Sequence, residues 1–415
     1  MSSVLVIYSW PRLWSMGTGR GSPDFYHSLL ALTRTSDEVR LVCPRDKEMS
    51  IAGQVPPGVK VSSFSWPRLP LVPAPRGPRA IRVAVFCLNW PVRMLNFLSF
   101  NISASRTAHR ECESLERLAL VSAHGFMGAR AAASLAARFD VPLTVRLFGV
   151  SLGIRGFSWP VLAAQFEERA AFRVNAARWI IADDGSGGRR AAKKLGVPQE
   201  KVSMIRAAVQ RRKNVPDLEK FRLDYRKRLG LTPEAKIVLR VCRLWSQQRV
   251  ERLIESLPSV TADGAPVVAV IVGEGDERER LESLAAMLNK RVIFTGALPN
   301  SELTEHYRAA DLYLATADRT NLSQSVLEAM SHGLAVLALD TGETASLIVD
   351  LKNGRLIPAG HAGELADAVR ELLDDNSLRG RLAAGAVSTA EAVIPDPEGR
   401  IGAEAELYSR LISTD

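Results

Sequence analysis

The sequence predicts an α/β protein made of two doubly wound domains in tandem, and three observations carry that expectation. Short apolar runs alternate with amphipathic helical stretches, the pattern of a parallel sheet with helices on both faces. The alternation halts once, at the polar and basic "QRRKNVPD" of 210–217, and then restarts. The length, 415 residues, exceeds one ordinary domain. The expected division is 1–210, 211–395 and a closing segment, 396–415.

The elements follow in order. "VLVIYS" reads as a first strand, followed by the glycine-rich "MGTGRGSPDF" and a helical "YHSLLALTR". "EVRLVCP" is the second strand. "LALVSAH" leads into the helix of "GFMGARAAASLAARF", then "PLTVRLFG". "ARWIIADD" leads into "GSGGRRAAKKLG", and "VSMIRAAV" closes the first half. After the break come "AKIVLRVCRL", a helix through "VERLIESLPSV", "APVVAVIVGEG", the helix "DERERLESLAAML" and "RVIFTGAL". "SELTEHYRAA" is helical, "DLYLATA" and "LAVLALD" are strands, and "RTNLSQSVLEAMSHG" between them turns from polar loop to helix. "AEAELYSRLI", beyond the prolines 395 and 397, reads as a last helix. In such folds a ligand lies at the carboxyl ends of the strands.

Charge is uneven. Residues 1–210 hold 28 Lys and Arg against 14 Asp and Glu; residues 211–415 hold 26 against 31. Met49–Arg110 has eight bases and no acid, interleaved with Phe64, Trp66, Phe86, Trp90, Phe97 and Phe100. A basic aromatic region suits an anionic membrane face; a solvated loop with core aromatics is the plainer alternative. Val83–Phe100 is interrupted by Asn89, Pro91 and Arg93, so it is expected to be amphipathic or interfacial, not membrane-spanning. Nucleic acid is not expected, because the second half is acidic and no reader motif occurs. The four cysteines are scattered without a Cys-x-x-Cys pair, and no metal site is expected. No secretory leader is evident. The expected location is the cytoplasm, with a peripheral position on the inner membrane face as an option.

Glycines mark two strand ends. Gly17, Gly19 and Gly21 follow the first strand, but "GTGRG" falls short of the dinucleotide fingerprint. Gly273 and Gly275 end a strand and open a helix whose first turn is acidic. Both turns suit close backbone approach to a ligand; a tight turn alone is the other reading.

The second half resembles a known family. "IVGEGDERERLESLA", "RVIFTGALPNSEL", "YRAADLYLATA" and "LSQSVLEAMSHGLAVLALDTGETASLI" are similar, in order and spacing, to the C-terminal domain of retaining GT-B glycosyltransferases, nearest to glycosyltransferase family 4. The likeness is strong over about 235–360. It implies two Rossmann-like domains facing across a cleft, an acceptor domain followed by a nucleotide-sugar donor domain, and a C-terminal helix crossing back to the first. It also implies a nucleotide-sugar substrate (UDP- or GDP-linked), no separate cofactor, and an acceptor that is a carbohydrate, a lipid or a small molecule. A role in polysaccharide biosynthesis would fit.

By the resemblance, Arg243 of "VCRLWSQQR" contacts the donor diphosphate, as a guanidinium fork suits phosphate. The lysine usual five residues later is Gln248. Glu328 would grip the ribose. Its usual partner glutamate is Thr320, with Asn321, Leu322, Ser323 and Gln324 between them in the donor site. Gly273 and the first-turn Gly19 and Gly21 complete the donor contacts, and His124 would approach the donor sugar. The family's asparagine-glycine at the end of the first domain is Ala207-Ala208, and the glutamate after "DTG" is Ser346. His124, Arg243 and Glu328 are the catalytic candidates. The implied mechanism is metal-independent hexosyl transfer by same-face displacement, with the amides near Ser323 and Arg243 stabilising the departing diphosphate. Two other readings stay open: a degenerate relative kept for binding or scaffolding, and a nucleotide-sugar epimerase.

Overall fold

The structure, a computed structural model, describes residues 2–9, 24–45, 55–73, 79–152, 156–210, 217–318 and 323–413, with backbone only at 79–83 and 159–160. Gly19, Gly21, Thr320, Asn321 and Leu322 lie outside the described residues. The chain divides into two compact units. The first contains the N-terminal strand, Pro23–Arg206 and Glu398–Asp415; the second contains Ala207–Pro397.

The first unit is a seven-stranded parallel sheet of β1 (Ser3–Tyr8), β2 (Glu38–Pro44), β3 (Val59–Phe64), β4 (Leu118–His124), β5 (Leu143–Leu147), β6 (Arg178–Ala182) and β7 (Val202–Ile205). The order is β3-β2-β1-β4-β5-β6-β7, so the winding reverses between β1 and β4. β1 pairs with both neighbours in register, Val4 opposite Val39 on one side and Leu120 on the other. Its six residues are all buried. A strand covered on both faces needs a continuous apolar run and not an alternation. Alternation shows only in where the side chains go: Leu5 and Ile7 join the core on one face, Val4 and Val6 the core on the other.

The second unit repeats the plan with β8 (Lys236–Val241), β9 (Val267–Val272), β10 (Val292–Gly296), β11 (Leu312–Ala315), β12 (Ala335–Asp340) and β13 (Arg355–Pro358), in the order β10-β9-β8-β11-β12-β13. Here the winding reverses between β8 and β11. β9 sends Val268 and Val270 to one core and Ala269 and Ile271 to the other. Each unit is a Rossmann-like doubly wound domain.

The segment 83–100, expected to be amphipathic or interfacial, is part of one helix of 35 residues, Arg79–Glu113, with Pro91 inside it. Pro91 and Cys87 are both exposed, so water can satisfy the carbonyl that the proline leaves without a donor. No described helix is long and apolar enough to cross a membrane. The region's aromatics turn largely inward. Phe97 and Phe100 are buried; Phe64 and Trp66 meet the Phe100 ring edge-on at 5.2 and 5.4 Å. Trp90 donates its indole N–H to the Ala163 carbonyl at 3.0 Å. The large hydrophobic residues this helix exposes are aliphatic: Leu88, Leu95, Leu98 and Ile102.

The last helix, Pro397–Ile412, is longer than its sequence signal and starts on a proline, which suits the first helical turn. Ile401 and Tyr408 pack into the core of the first unit beside Val4, Val6 and Leu41. Glu404 is wholly buried there. It accepts from Arg146 Nε at 3.2 Å and from the Tyr408 hydroxyl at 3.0 Å, and it pairs with Arg400 at 3.3 Å. Arg400 also reaches Asp24 at 3.3 Å.

Candidate functional site

The winding reversal of the second sheet leaves the loops after β8 and β11 diverging, and most of the expected site residues gather around those strand ends. The loop after β8 runs beside the loop after β9. Cys242 N–H bonds the Val272 carbonyl at 3.0 Å, and Leu244 N–H the Glu274 carbonyl at 2.8 Å. Gly273 has φ +144°, and a Cβ there would stand 1.8 Å from the Cys242 carbonyl oxygen. Only glycine lets the two loops lie this close. Arg243 projects from the paired loops, exposed, its guanidinium 5.1 Å from the centre of the Trp245 ring.

Gln248 closes the same loop. Its backbone carbonyl accepts from the Thr316 hydroxyl at 3.1 Å, and the Gln247 carbonyl accepts from Asp318 N–H at 3.2 Å. Asp318 is in turn paired with Arg252 at 2.7 Å. The loops after β8 and β11 are thus tied together. The side chain of Gln248 accepts a hydrogen bond from Arg240 at 2.7 Å.

The helix Gln324–Ser331 follows. Ser323 stands at its N-cap without capping it; the hydroxyl meets Ser325 at 2.9 Å instead, and Ser325 accepts from Tyr313 at 2.7 Å. The Ser323 side chain therefore leaves the first amides of this helix uncapped. One turn on, Glu328 is half-buried. Its carboxylate accepts from the Tyr307 hydroxyl at 2.7 Å and from Gln324 at 3.4 Å. Burial raises its pKa above the ordinary carboxylate value, and the two donors oppose that rise. A carboxylate has four lone-pair positions, so two donors leave capacity for a ligand hydroxyl. Gln324 also bonds the Ala208 carbonyl at 3.1 Å.

The structure thus brings together Arg243, Gln248, Gly273, Ser323, Gln324 and Glu328. His124 is elsewhere, in the first unit at the end of β4. It is completely buried, among Phe25, Phe148 and neighbouring charged groups. Neither ring nitrogen has a hydrogen-bond partner among the described residues. Burial pushes its pKa down to about 3, so the ring is neutral. Three residues went unread in the sequence: Arg240, Tyr307 and Tyr313, each almost wholly buried. Arg240 had left a signal, a lone charge in the apolar run "KIVLRV". The tyrosines had left none.

Comparison with known proteins bears on the same segment. Residues 221–388 match the family model described as "Glycosyl transferases group 1". Over 225 residues the chain is 32% identical to an alpha-D-kanosaminyltransferase of Streptomyces kanamyceticus, a stretch spanning 54% of this chain and 58% of that one. Over 146 residues it is 36% identical to a GDP-mannose-dependent alpha-mannosyltransferase of Mycobacterium tuberculosis, 35% of this chain and 36% of that one. The chain therefore spans between about a third and somewhat over half of these curated relatives' length. Among solved structures, sucrose-phosphate synthase from Thermosynechococcus elongatus matches with a TM-score of 0.71 at 17% identity, covering 100% of both chains. Anabaena HepE in complex with UDP and glucose matches with a TM-score of 0.70 at 19% identity, covering 99% of this chain and 100% of that one. At such identities the likeness is one of fold, and the fold is GT-B.

Proposed function

We propose, on the match of residues 221–388 to the glycosyl transferases group 1 model, that the chain moves a sugar from a nucleotide-sugar donor, UDP- or GDP-linked, to an acceptor with retention of configuration. The observation that carries the reading is the gathering of Arg243, Gln248, Gly273, Ser323, Gln324 and Glu328 at the winding reversal of the second sheet. In this reading the second unit binds the donor and the first unit the acceptor. Glu328 takes the ribose hydroxyls. Arg243 and the amides opening the helix Gln324–Ser331 take the diphosphate. Bond cleavage at the sugar puts negative charge on that diphosphate. Donors already in place stabilise it without reorganising. As the bond from the anomeric carbon to the phosphate breaks, the acceptor oxygen bonds that carbon from the same face and gives its proton to the departing phosphate oxygen, so the new glycosidic bond keeps the donor's configuration. Retention and metal independence are parts of this proposal.

The test is a titration of the purified chain with UDP, GDP and ADP, followed by transfer assays with the corresponding labelled sugars. Arg243→Ala is expected to weaken nucleoside diphosphate binding about tenfold or more, the worth of a hydrogen bond to a charged group. Absence of binding to any of the three sinks the reading. Binding without transfer or hydrolysis of any donor would favour a scaffold; an isomeric nucleotide sugar formed without acceptor would favour an epimerase.

On the acceptor side we propose an anionic membrane face. Leu88, Leu95, Leu98 and Ile102 recur at helical spacing on one side of Arg79–Glu113 and are exposed. An extended segment beside them exposes Leu69, Leu71 and Val72. Asn96 clamps it by exchanging bonds with the Leu69 backbone at 2.8 and 3.0 Å, and Asn89 does the same with Val72 at 2.9 and 2.8 Å. Arg68, Arg106 and Arg110 are exposed around this patch, and no acid precedes Glu111 in the helix. An apolar stripe with basic flanks fits lipid whose headgroups are acidic. Co-sedimentation with phosphatidylglycerol vesicles at low salt is expected, and Leu95→Glu with Leu98→Glu should abolish it. Failure of the wild type to sediment, or concentration-dependent dimerisation lost in the same variant, would instead assign the patch elsewhere.

A further inference from the structure

Arg240 is among the largest wholly buried side chains of the molecule, 1% exposed in the penultimate position of β8. Its guanidinium has no carboxylate within salt-bridge distance among the described residues. Nη2 donates to Gln248 Oε1 at 2.7 Å, and Nη1 to the Tyr313 hydroxyl and the Leu314 carbonyl, both at 3.4 Å. Nε has no hydrogen-bond partner among the described residues, and the Cys242 thiol lies beside the group. An arginine does not shed its proton, so a whole positive charge is buried here against neutral groups. Burying it this way is costly unless something supplies the counter-charge.

The cavity that Arg240 lines with Ser323, Thr341 and Thr344 has a volume of about 10 Å³. That is room for about one water and not for an anion. The counter-charge must therefore act through an intermediary, and Gln248 is placed to be one. A guanidinium only donates, so the Gln248 amide must turn its oxygen toward Arg240. Its NH₂ is then aimed away from the buried charge, and Gln248 is itself only partly buried. The loop holding it is fixed by the Thr316 bond to its carbonyl. Nearby stand Arg243 on the same loop and the uncapped start of the helix Gln324–Ser331, so an anion set among them would meet a third donor.

We propose that Arg240 and Gln248 act as a relay, the buried guanidinium orienting and polarising the Gln248 amide so that its NH₂ donates to a phosphate oxygen of a nucleoside diphosphate. Arg240 is the positioning residue and Gln248 the contact. The proposal rests on the donor-site reading above.

The experiment measures binding of UDP, GDP and the phosphate-free uridine and guanosine to the full chain and its variants. Arg240→Met and Gln248→Met are each expected to weaken the bound diphosphate about tenfold while leaving the matching nucleoside unchanged. The double variant should lose no more than either single one, because the relay is broken once. Gln248→Glu would give Arg240 its missing carboxylate, raising the melting temperature while weakening the diphosphate at least tenfold. That arm decides the matter if Arg240→Met does not fold. Additive losses, equal losses for diphosphate and nucleoside, or unchanged diphosphate affinity in Gln248→Glu would each overturn the relay. If the wild type binds neither diphosphate, the donor-site reading fails and the relay with it; if it binds and the variants behave like it, the relay alone fails.

Discussion

Three arginines are almost wholly buried among the largest hidden side chains of this molecule, and they divide into two kinds. Arg146 and Arg400, in the first unit, meet the carboxylate of Glu404, and Arg400 also meets Asp24. Arg240, in the second unit, meets an amide, a phenol and a carbonyl. Burial alone does not separate them, and neither does fold position, since Arg146 and Arg240 both stand near the carboxyl end of a central strand. Neutralisation separates them. A charge cancelled within the fold ties elements together and leaves nothing for a ligand. A charge left uncancelled has a field to offer. The second unit makes the same contrast internally, because Arg226 is buried against Asp311 at 2.7 Å, remote from the strand ends where Arg240 lies.

The contrast breaks most visibly at Glu404. Glu404→Ala would leave Arg146 and Arg400 buried without their shared carboxylate. The expected loss is about 3–5 kcal/mol of stability, the cost of stranding a buried charge. Hydrogen exchange should report it in β1, β4 and the helix Pro397–Ile412. Nucleoside diphosphate affinity of the remaining folded protein should not move. A loss under about 1 kcal/mol would show that water reaches these guanidinium groups, and the division would lose its basis.

The fold was legible because parallel strands advertise themselves: "VLVIY" and "VVAVIV" are unbroken apolar runs, and every one of them is followed by a helical pattern. What escaped was what local pattern does not encode. Pro91 interrupts an apolar run in the sequence, yet its place on an exposed side lets one helix run through it. The aromatics around it lie among bases, which left surface and core readings both open, and their neighbours prove to be Phe64 from β3 and Phe166 from a distant helix. Among the candidate-site residues, Arg243 and Glu328 were reached through the family resemblance, and Gly273 through its glycine-rich turn at a strand end. Tyr307 was not, because its bond to Glu328 spans 21 residues and two helices. Arg240 is the instructive miss. A charge near the end of a buried strand is legible as an anomaly, but its meaning depends on whether an acid faces it, and that is a fact of three dimensions.

His124 sharpens the contrast from the other side, with a smaller effect. It lies near the same Arg146, Arg400 and Glu404, and burial pushes its pKa down to about 3, the two arginines adding to the fall and Glu404 opposing it. His27, facing Arg400, Asp24, Glu404 and Glu398, is lowered to about 4, again chiefly by burial. In the unfolded chain a histidine titrates near 6.5. Between that value and the folded one, the unfolded state holds the extra proton. The stabilising contribution is therefore complete above about pH 6.5 and is lost as the pH falls toward 3. At pH 5 His124 alone should have cost about 2 kcal/mol relative to pH 7.5. Glu404 is itself held below its ordinary value by Arg146 and Arg400 in spite of burial, so its own loss begins only at lower pH and does not confuse the window. His306 in the second unit is also lowered by burial, which makes a variant, and not the other unit, the proper control. His124→Leu removes the titrating ring from an apolar setting. The variant should lose about 2 kcal/mol less than the wild type between pH 7.5 and pH 5, measured by urea unfolding followed through exchange of β4. Equal losses would mean that His124 takes up its proton while folded, next to two arginines that Glu404 and Asp24 have already neutralised. The cancelled cluster would then be an open, hydrated site, and the line between the two kinds of buried arginine would have to be redrawn.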